Sequence, residues 1–416
     1  METIQPVRGT SDLLPAEKAR HNHVIDSAKQ GAAQFGYAEI ATPIFEFTDV
    51  FSRPLGASSD VVAKETYSFE DRGGTGLTLR PEGTASAMRA IISNGLTQTL
   101  PQRWFYAGPM FRYERPQKGR MRQFHQIGCE LIGPAGALAD AEIIACGVHI
   151  LKSLGVLART RLHLNTLGDS ESRDRYRAAL ISYLEGYRKA LSEDSQRRLD
   201  TNPLRILDSK SETDKEILQE APRLKTHLTS AAEAHFDTVK QALDAASIEW
   251  VEDPFLVRGL DYYSHTAFEF ITDQLGAQGT VLGGGRYDGL SPALGGPPLP
   301  AVGFAAGVER LALLGEDIPA ERPDLALIAA EKTAEIELFS LGFSLRDAGF
   351  SAVNLHSGNM GKKMKAASKM AARFAIIAGD DELGRGSVSV RNMQDGTQAE
   401  VKISALSSWL ANVLPR

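Results

Sequence analysis

The sequence predicts an α+β core, an antiparallel sheet flanked by helices, that is interrupted by a mostly helical insertion and followed by a small α/β domain. Three observations lead there. Residues 104–132 read as two strands joined by a loop far too short for a helical crossover. Residues 167–247 are charged and carry a helical pattern, with turn signals near Asn202 and Pro203. Strand and helix patterns alternate after a polar linker, GEDIPAERPD.

In chain order, a helical pattern spans about Pro15 to Phe35 and stops at Gly36, a residue suited to a helix C-terminus. The strand-like YAEIATPIFEF follows. Its Pro43 cannot donate a ladder hydrogen bond, so this segment belongs at an edge, a bulge or an interface. The hairpin comprises RWFYAGPMFRYE, the polar RPQKGRMR and the returning QFHQIGCELI, and a helix over about Asp140 to Leu154 should cover one face. Beyond the insertion come FLVRGLDYYSHTAFEFITD, the glycine-rich LGGGRYDGL, and AVGFAAGVERLALL, a strand running into a helix. The tail, DLALIAA through RFAIIAG, implies a three-layer α/β domain with mainly parallel strands. The expected boundaries are 1–320, including the insertion at about 167–247, and 323–416.

Bulk properties narrow the class. A chain of 416 residues exceeds the size of one core, and 43% hydrophobic with 24% charged residues is ordinary globular composition. The net charge of -6 argues against blanket attraction to nucleic acid or an anionic membrane, so any RNA contact must use local basic patches. Two cysteines, Cys129 and Cys146, are too few for a disulfide framework or a four-thiolate zinc site, which fits a reducing cytoplasm. Neither a signal-peptide run nor a stretch approaching ~20 apolar residues is present, so export and membrane insertion are not expected.

Candidate chemistry centres on the hairpin. Period-two geometry projects Gln126, Gly128 and Glu130 from one face and Ile127, Cys129 and Leu131 from the other. A carboxylate and an amide flanking a glycine make a plausible pocket floor, the missing side chain leaving room for a ligand. An ordinary solvent-facing edge with a bulge is the bland alternative. Arg112 points toward the same region, and Arg115, Lys118, Arg120 and Arg122 follow. Five cations in eleven residues suit a polyphosphate or an RNA backbone, although charged hairpin tips are usually just solvated.

Three more segments are polar where apolar strands would be expected: LRPEGT with Arg80 and Glu82, RGLDYY with Arg258, Asp261, Tyr262 and Tyr263, and GVERL with Arg310. Each has a mundane reading as an ion pair, a core tyrosine or a surface arginine. The phosphate loop GxxxxGK[ST] and the strand-GxGxxG-helix order are absent, which disfavours both common nucleotide folds. HQIGCE reads as a poor zinc site, with His125 and Cys129 toward the apolar face and no matching ligand pair elsewhere; no metal ligand is assigned on the protein.

Taken in order, these segments resemble class II aminoacyl-tRNA synthetases, specifically the histidine-specific family. FRYERPQKGRMRQFHQIGCE resembles the second class II motif, AVGFAAGVERL the third, and YAEIATPIFE, more weakly, the first. RGLDYY followed by FEF, and GGGRYDGL, resemble the two segments peculiar to histidyl enzymes, and LRPEGT and the tail match as well. Tyr113, Met121 and Ser264 depart from common family residues, which bears on acceptor recognition rather than on reaction class.

The resemblance implies a class II catalytic core with a C-terminal anticodon-binding domain, a homodimer, and ligation of L-histidine to its tRNA through a histidyl-adenylate, using ATP and Mg2+ held mainly by the ATP phosphates. It also implies the roles of individual residues. Arg112 would grip the α-phosphate and Arg310 the γ-phosphate. Arg258 would stand between the histidine carboxylate and the α-phosphate. Glu82, assisted by Thr84, would accept from the substrate ammonium, while Gln126, Glu130 and Tyr263, with Tyr262 alongside, would line the imidazole pocket. Arg115, Lys118, Arg120 and Arg122 would hold the acceptor end of the tRNA. Lys362, Lys363, Lys365 and Lys369 on a tail helix would meet the anticodon. One alternative is a non-catalytic paralogue serving as regulatory subunit of ATP phosphoribosyltransferase; another is an RNA-binding or amino-acid-sensing module without turnover.

Overall fold

The computed structural model describes residues 3–55, 65–116, 119–257, 262–276, 279–316, 318 and 322–414. The chain divides into two compact units, Met1–Ile318 and Pro319–Arg416.

The first unit opens with α1 (Pro15–Gln34), whose leading proline lacks an N–H that the first turn would leave unpaired anyway. Gly36 then takes φ +78 and turns the chain into β1 (Ala38–Ile40). As Pro43 foretold, pairing breaks there. β1 forms an edge of the main sheet, whereas β2 (Phe45–Phe47) joins β3 (Tyr67–Glu70) and β4 (Gly76–Leu79) in a separate three-stranded sheet. Helix α2 (Asp49–Leu55) lies between β2 and β3 in sequence, and α3 (Thr84–Ser93) follows β4.

The expected hairpin is present as β5 (Gln102–Phe111) and β6 (Gln123–Ile132), paired antiparallel from Gln102↔Ile132 to Phe111↔Gln123. Helix α4 (Ala137–Ser153) buries Ile143, Ile144, Cys146, Ile150 and Leu151 against the sheet. After β7 (Arg161–Thr166) come the helices α5 (Ser170–Glu185), α6 (Glu193–Thr201), α7 (Glu212–Gln219) and α8 (Ser230–Ala245). Residues from Tyr176 to Leu224 form their own small core, while Phe236, Val239 and Leu243 of α8 join the main one. Strands β8 (Val251–Glu252), β9 (Ser264–Ile271), β10 (Thr280–Arg286) and β11 (Ala301–Gly307) complete the sheet, with α9 (Leu290–Ala293) before β11 and α10 (Val308–Leu314) leaving it.

The eight strands run β1-β5-β6-β11-β10-β9-β7-β8. Every pairing between β5 and β7 is antiparallel; only the outermost pairs, β1 with β5 and β7 with β8, are parallel. Strand β6 is therefore interior, and its register against β11 sets Gly303 opposite Glu130. The glycine-rich β10 ends on Arg286, which is fully buried and pairs with the equally buried Asp140; His235 and Thr266 complete that carboxylate's bonds. This arginine is structural, because a buried charge persists only when paired and hydrogen-bonded.

In the second unit, β12 (Leu325–Ala329), α11 (Glu335–Asp347), β13 (Ala352–Asn354), α12 (Met360–Lys369) and β14 (Phe374–Ala378) alternate as expected, with parallel pairing. After α13 (Asp380–Gly384), however, β15 (Ser387–Asn392) and β16 (Gln398–Lys402) pair antiparallel before α14 (Ile403–Val413). The expectation of mainly parallel strands is corrected. A helix-free hairpin closes this sheet, because the polar NMQDGT turn leaves no length for a crossover. Lys363 is also reassigned, since it is buried and donates to the Ala329 carbonyl at 2.9 Å. Lys362, Lys365 and Lys369 are exposed.

Candidate active site

A cavity of about 960 Å³ opens on the sheet of the first unit. One wall is cationic. Arg112, just beyond β5, Arg120 at the returning end of the hairpin loop, and Arg310 on α10 all line it, with Glu114 among them. Arg112 donates through Nε to the Pro81 carbonyl at 2.9 Å, and its guanidinium lies over the Phe124 ring at 5.3 Å. Arg310 donates to the carbonyls of Gly119 and Thr280. Burial pushes the Arg310 pKa down, and repulsion from Arg120 and Arg112 pushes the same way, against Glu114. Three mutually repelling guanidiniums on one concave wall focus positive potential where a multiply charged anion would relieve it.

Another part of the lining is carboxylate, amide and phenol. Glu82, Thr84, Gln126, Tyr262 and Tyr263 line it. Glu82 caps α3 by accepting from the amides of Thr84 and Ala85 at 2.6 and 2.9 Å. An anion at a helix N-terminus is held in place by the amides and the helix dipole. Burial nevertheless raises its pKa, partly offset by those amides. Among the described residues, the buried Gln126 Oε1 and Tyr262 hydroxyl have no hydrogen-bond partner. Such atoms await a ligand or water.

Glu130 does not itself reach the wall, and the expectation that it lines the pocket is corrected accordingly. It is 0% exposed, one layer deeper, and accepts from Thr84 Oγ1 at 2.7 Å, from the Tyr106 hydroxyl at 3.2 Å, and from the Tyr287 hydroxyl. Burial raises its pKa to about 8, against the lowering effect of the hydroxyls of Tyr287 and Thr84. The register explains the depth: a Cβ at Gly303, directly opposite, would sit 1.7 Å from Glu130 Oε2.

Nor does Gly128 leave space for a ligand. Its cross-strand partner Tyr106 fills that gap, and a Cβ at Gly128 or at Gly83 would come within 2.3 Å of the ring. A large side chain directly opposite a glycine folds across it, which the period-two pattern alone does not reveal.

Other expected residues separate. Arg258 and Lys118 lie outside the described residues, as does Asp261. Arg115 is exposed, away from the cavity. Arg122 turns instead to the N-terminal segment: its Nη1 donates to the Arg8 carbonyl at 3.4 Å, and its guanidinium stacks at 3.9 Å over Tyr113. Arg80 is buried and donates to the carbonyls of Pro109 and Thr42 at 3.0 and 2.9 Å, a structural brace.

Three features escaped sequence reasoning. Lys210, Lys215 and Gln219 of the insertion also line the cavity. Tyr106 and Tyr287 anchor Glu130. His125 is not simply buried in apolar surroundings: it pairs with Glu309, also on the cavity wall, and His21 stands beside both. The first and third are tertiary juxtapositions without local signature; GGGRYDGL did flag the neighbourhood of Tyr287.

An antiparallel sheet whose interior strands and a following helix set arginines against a buried carboxylate and amide in one cavity, with no phosphate loop, is the arrangement of class II aminoacyl-tRNA synthetases. The sequence model of histidyl-tRNA synthetase matches residues 9–311, and that of an anticodon-binding domain residues 326–413. A histidine–tRNA ligase of Rhodospirillum rubrum is 55% identical over the whole of both chains, and one of Gluconacetobacter diazotrophicus is 53% identical over 99% of this chain and all of the other. The crystal structure of apo S. aureus histidyl-tRNA synthetase superposes with a TM-score of 0.84 at 36% identity, covering 98% of this chain and all of that one. The chain belongs to the histidyl-tRNA synthetase family.

Proposed function

We infer that the chain ligates L-histidine to its tRNA at the expense of ATP, through a histidyl-adenylate. Full-length similarity to histidine–tRNA ligases supports catalytic charging over the regulatory paralogue. One observation carries the chemistry: three arginines and a carboxylate–amide–tyrosine set line a single cavity. The first suits a triphosphate, the second an amino acid with two ring nitrogens needing polar partners.

In the first step the histidine carboxylate oxygen attacks the α-phosphorus and pyrophosphate leaves. That carboxylate is already ionised at neutral pH, so no general base is needed and positioning with charge stabilisation does the work. Arg112 grips the α-phosphate and Arg310 the γ-phosphate; Arg258 is assigned by resemblance to the charge between carboxylate and α-phosphate. Glu82 accepts from the substrate ammonium. Thr84 assists, because its proton is committed to Glu130, so its oxygen faces the cavity as an acceptor. Gln126, Tyr262 and Tyr263 contact the imidazole, and Glu130 acts beneath them. In the second step a hydroxyl of the terminal ribose attacks the adenylate carbonyl and AMP leaves.

Glu114 and Glu269 on the cavity wall offer the hard oxygens that Mg2+ prefers, and would hold it together with the phosphate oxygens. Once bound, it would neutralise phosphate charge. Arg120, Arg115 and Lys118 are proposed to meet the acceptor end, joined by Lys210 and Lys215 of the insertion. We take residues 1–320 as the catalytic domain, with the insertion at about 167–247, and 323–416 as the anticodon-binding domain, where the exposed Lys362, Lys365 and Lys369 suit an RNA backbone.

A homodimer is supported by β2–β4–β3, where cross-strand pairing puts Phe45, Phe47 and Phe69 on one face, 53%, 62% and 48% exposed. Exposed apolar patches of this kind mark protein contacts. Cytoplasmic location is consistent with two free buried cysteines; no described helix is long and apolar enough to cross a membrane.

Pyrophosphate exchange measured with each of the twenty amino acids is expected to respond to histidine alone. Exchange with none, or with another amino acid, overturns the reading. Removal of residues 323–416 is expected to lower aminoacylation at least about tenfold more than exchange, since anticodon contacts serve only the second step. Equal loss of both refutes that division.

A further inference from the structure

Three side chains from distant parts of the chain meet beside the cavity: His21 of α1, His125 of β6 and Glu309 of α10. One ligand-type atom from each lies within 4.8 Å of the other two. The Glu309 carboxylate is fixed by the His125 backbone amide, at 2.8 and 3.0 Å, and by His125 Nδ1 at 2.9 Å. The His21 ring stands edge-on to that of His125, centroids 5.4 Å apart.

His21 is the informative member. It is only 6% exposed, and its Nδ1 is buried with no hydrogen-bond partner among the described residues. A strand–helix clip between His125 and Glu309 accounts for two of the three residues and leaves that nitrogen unexplained. Leaving a buried polar atom unsatisfied is destabilising, so a group in this position calls for a partner.

We propose that His21, His125 and Glu309 form a binding site for a divalent transition-metal ion of the zinc type, separate from any magnesium carried by ATP. Two imidazoles and one carboxylate are a borderline donor set that favours Zn2+, Co2+ or Ni2+ over Mg2+ or Ca2+. Metal–ligand bonds of ~2.1 Å place tetrahedral ligand atoms roughly 3.4 Å apart, so modest side-chain rotation closes the site. Glu309 lines the cavity, which provides an entry path and a water for the fourth position. The ion would fasten α1 and α10 to an interior strand, immediately beside Arg310.

The test uses the full chain, stripped with a chelator and dialysed, then titrated with Co2+ and with Zn2+ in millimolar Mg2+. Wild type should take up one equivalent of Co2+ with visible d–d bands, Zn2+ should displace it, and saturation should raise Tm by roughly 2 °C or more. His21→Phe, which keeps a ring in the same place, and His21→Gln should each weaken uptake by about tenfold or more and abolish the Tm rise. Both should retain metal-free pyrophosphate exchange, which also reports their folding. Absence of saturable one-equivalent binding in wild type, or equal binding by the wild type and whichever His21 variant folds, overturns the proposal. Neither result touches the assignment of the synthetase reaction.

Discussion

Arg112→Ala is expected to slow histidine-dependent ATP–pyrophosphate exchange by about 10² or more, the scale for losing one preorganised transition-state donor. The side chain is aimed before substrate arrives: Nε is tied to the Pro81 carbonyl, and the Phe124 ring supports the guanidinium plane. Those constraints direct the fork at the cavity without reorganisation during the reaction. The loss should fall chiefly on kcat, because charge at the α-phosphorus is greatest at the transition state. Folding should survive, as the residue is part-exposed and its described bond to a carbonyl is worth about 1 kcal/mol. Arg112→Lys should recover little, since a point charge replaces a planar two-pronged donor. Exchange within a factor of about three of wild type would remove Arg112 from the reacting phosphate.

How much of this site was legible beforehand follows a physical line. Period two placed Gln126 and Glu130 on one side of β6 and Cys129 on the other, because alternation is local backbone geometry. The same local reasoning located α1, the hairpin and the parallel strands of the second unit. It failed where the answer depends on what lies across a gap. Nothing local says that Tyr106 folds over Gly128, that Gly303 opens a place for Glu130, or that His21 approaches Glu309 across almost the whole first unit. Charge counts misled for a related reason. Arg122, Arg80 and Lys363 looked like solvent-facing or ligand-facing cations, yet each is spent on backbone carbonyls of its own fold.

At about pH 9, where Glu130 is ionised, Glu130→Gln should raise the histidine KM by about 10–10², the range for losing a hydrogen bond to a charged group, with a smaller change in the ATP KM. Glu130 orders three hydroxyls at once, and a neutral amide, itself carrying two donors, cannot accept all of them as a carboxylate does. Thr84 then loses the bond that, in the proposed function, presents its oxygen to the substrate ammonium. Glu130→Ala removes the anchor altogether and should be worse, so partial rescue by Gln separates positioning from bulk packing.

The pH dependence gives a second, independent reading of Glu130. With a native pKa raised to about 8 from an ordinary 4.5, the folded state holds a proton that the unfolded state has released throughout that interval. Stability therefore falls as pH rises from about 4.5 to 8 and levels off above, since burying the ionised form is what costs. Glu130→Gln lacks this titration, so its Tm relative to wild type should improve from pH 5 to 8.5. The wild-type kcat/KM for histidine should show an apparent pKa near 8 that the variant loses. A variant that tracked wild type at every pH would place the titrating group elsewhere, and an unchanged histidine KM would detach Glu130 from the amino-acid side of the cavity.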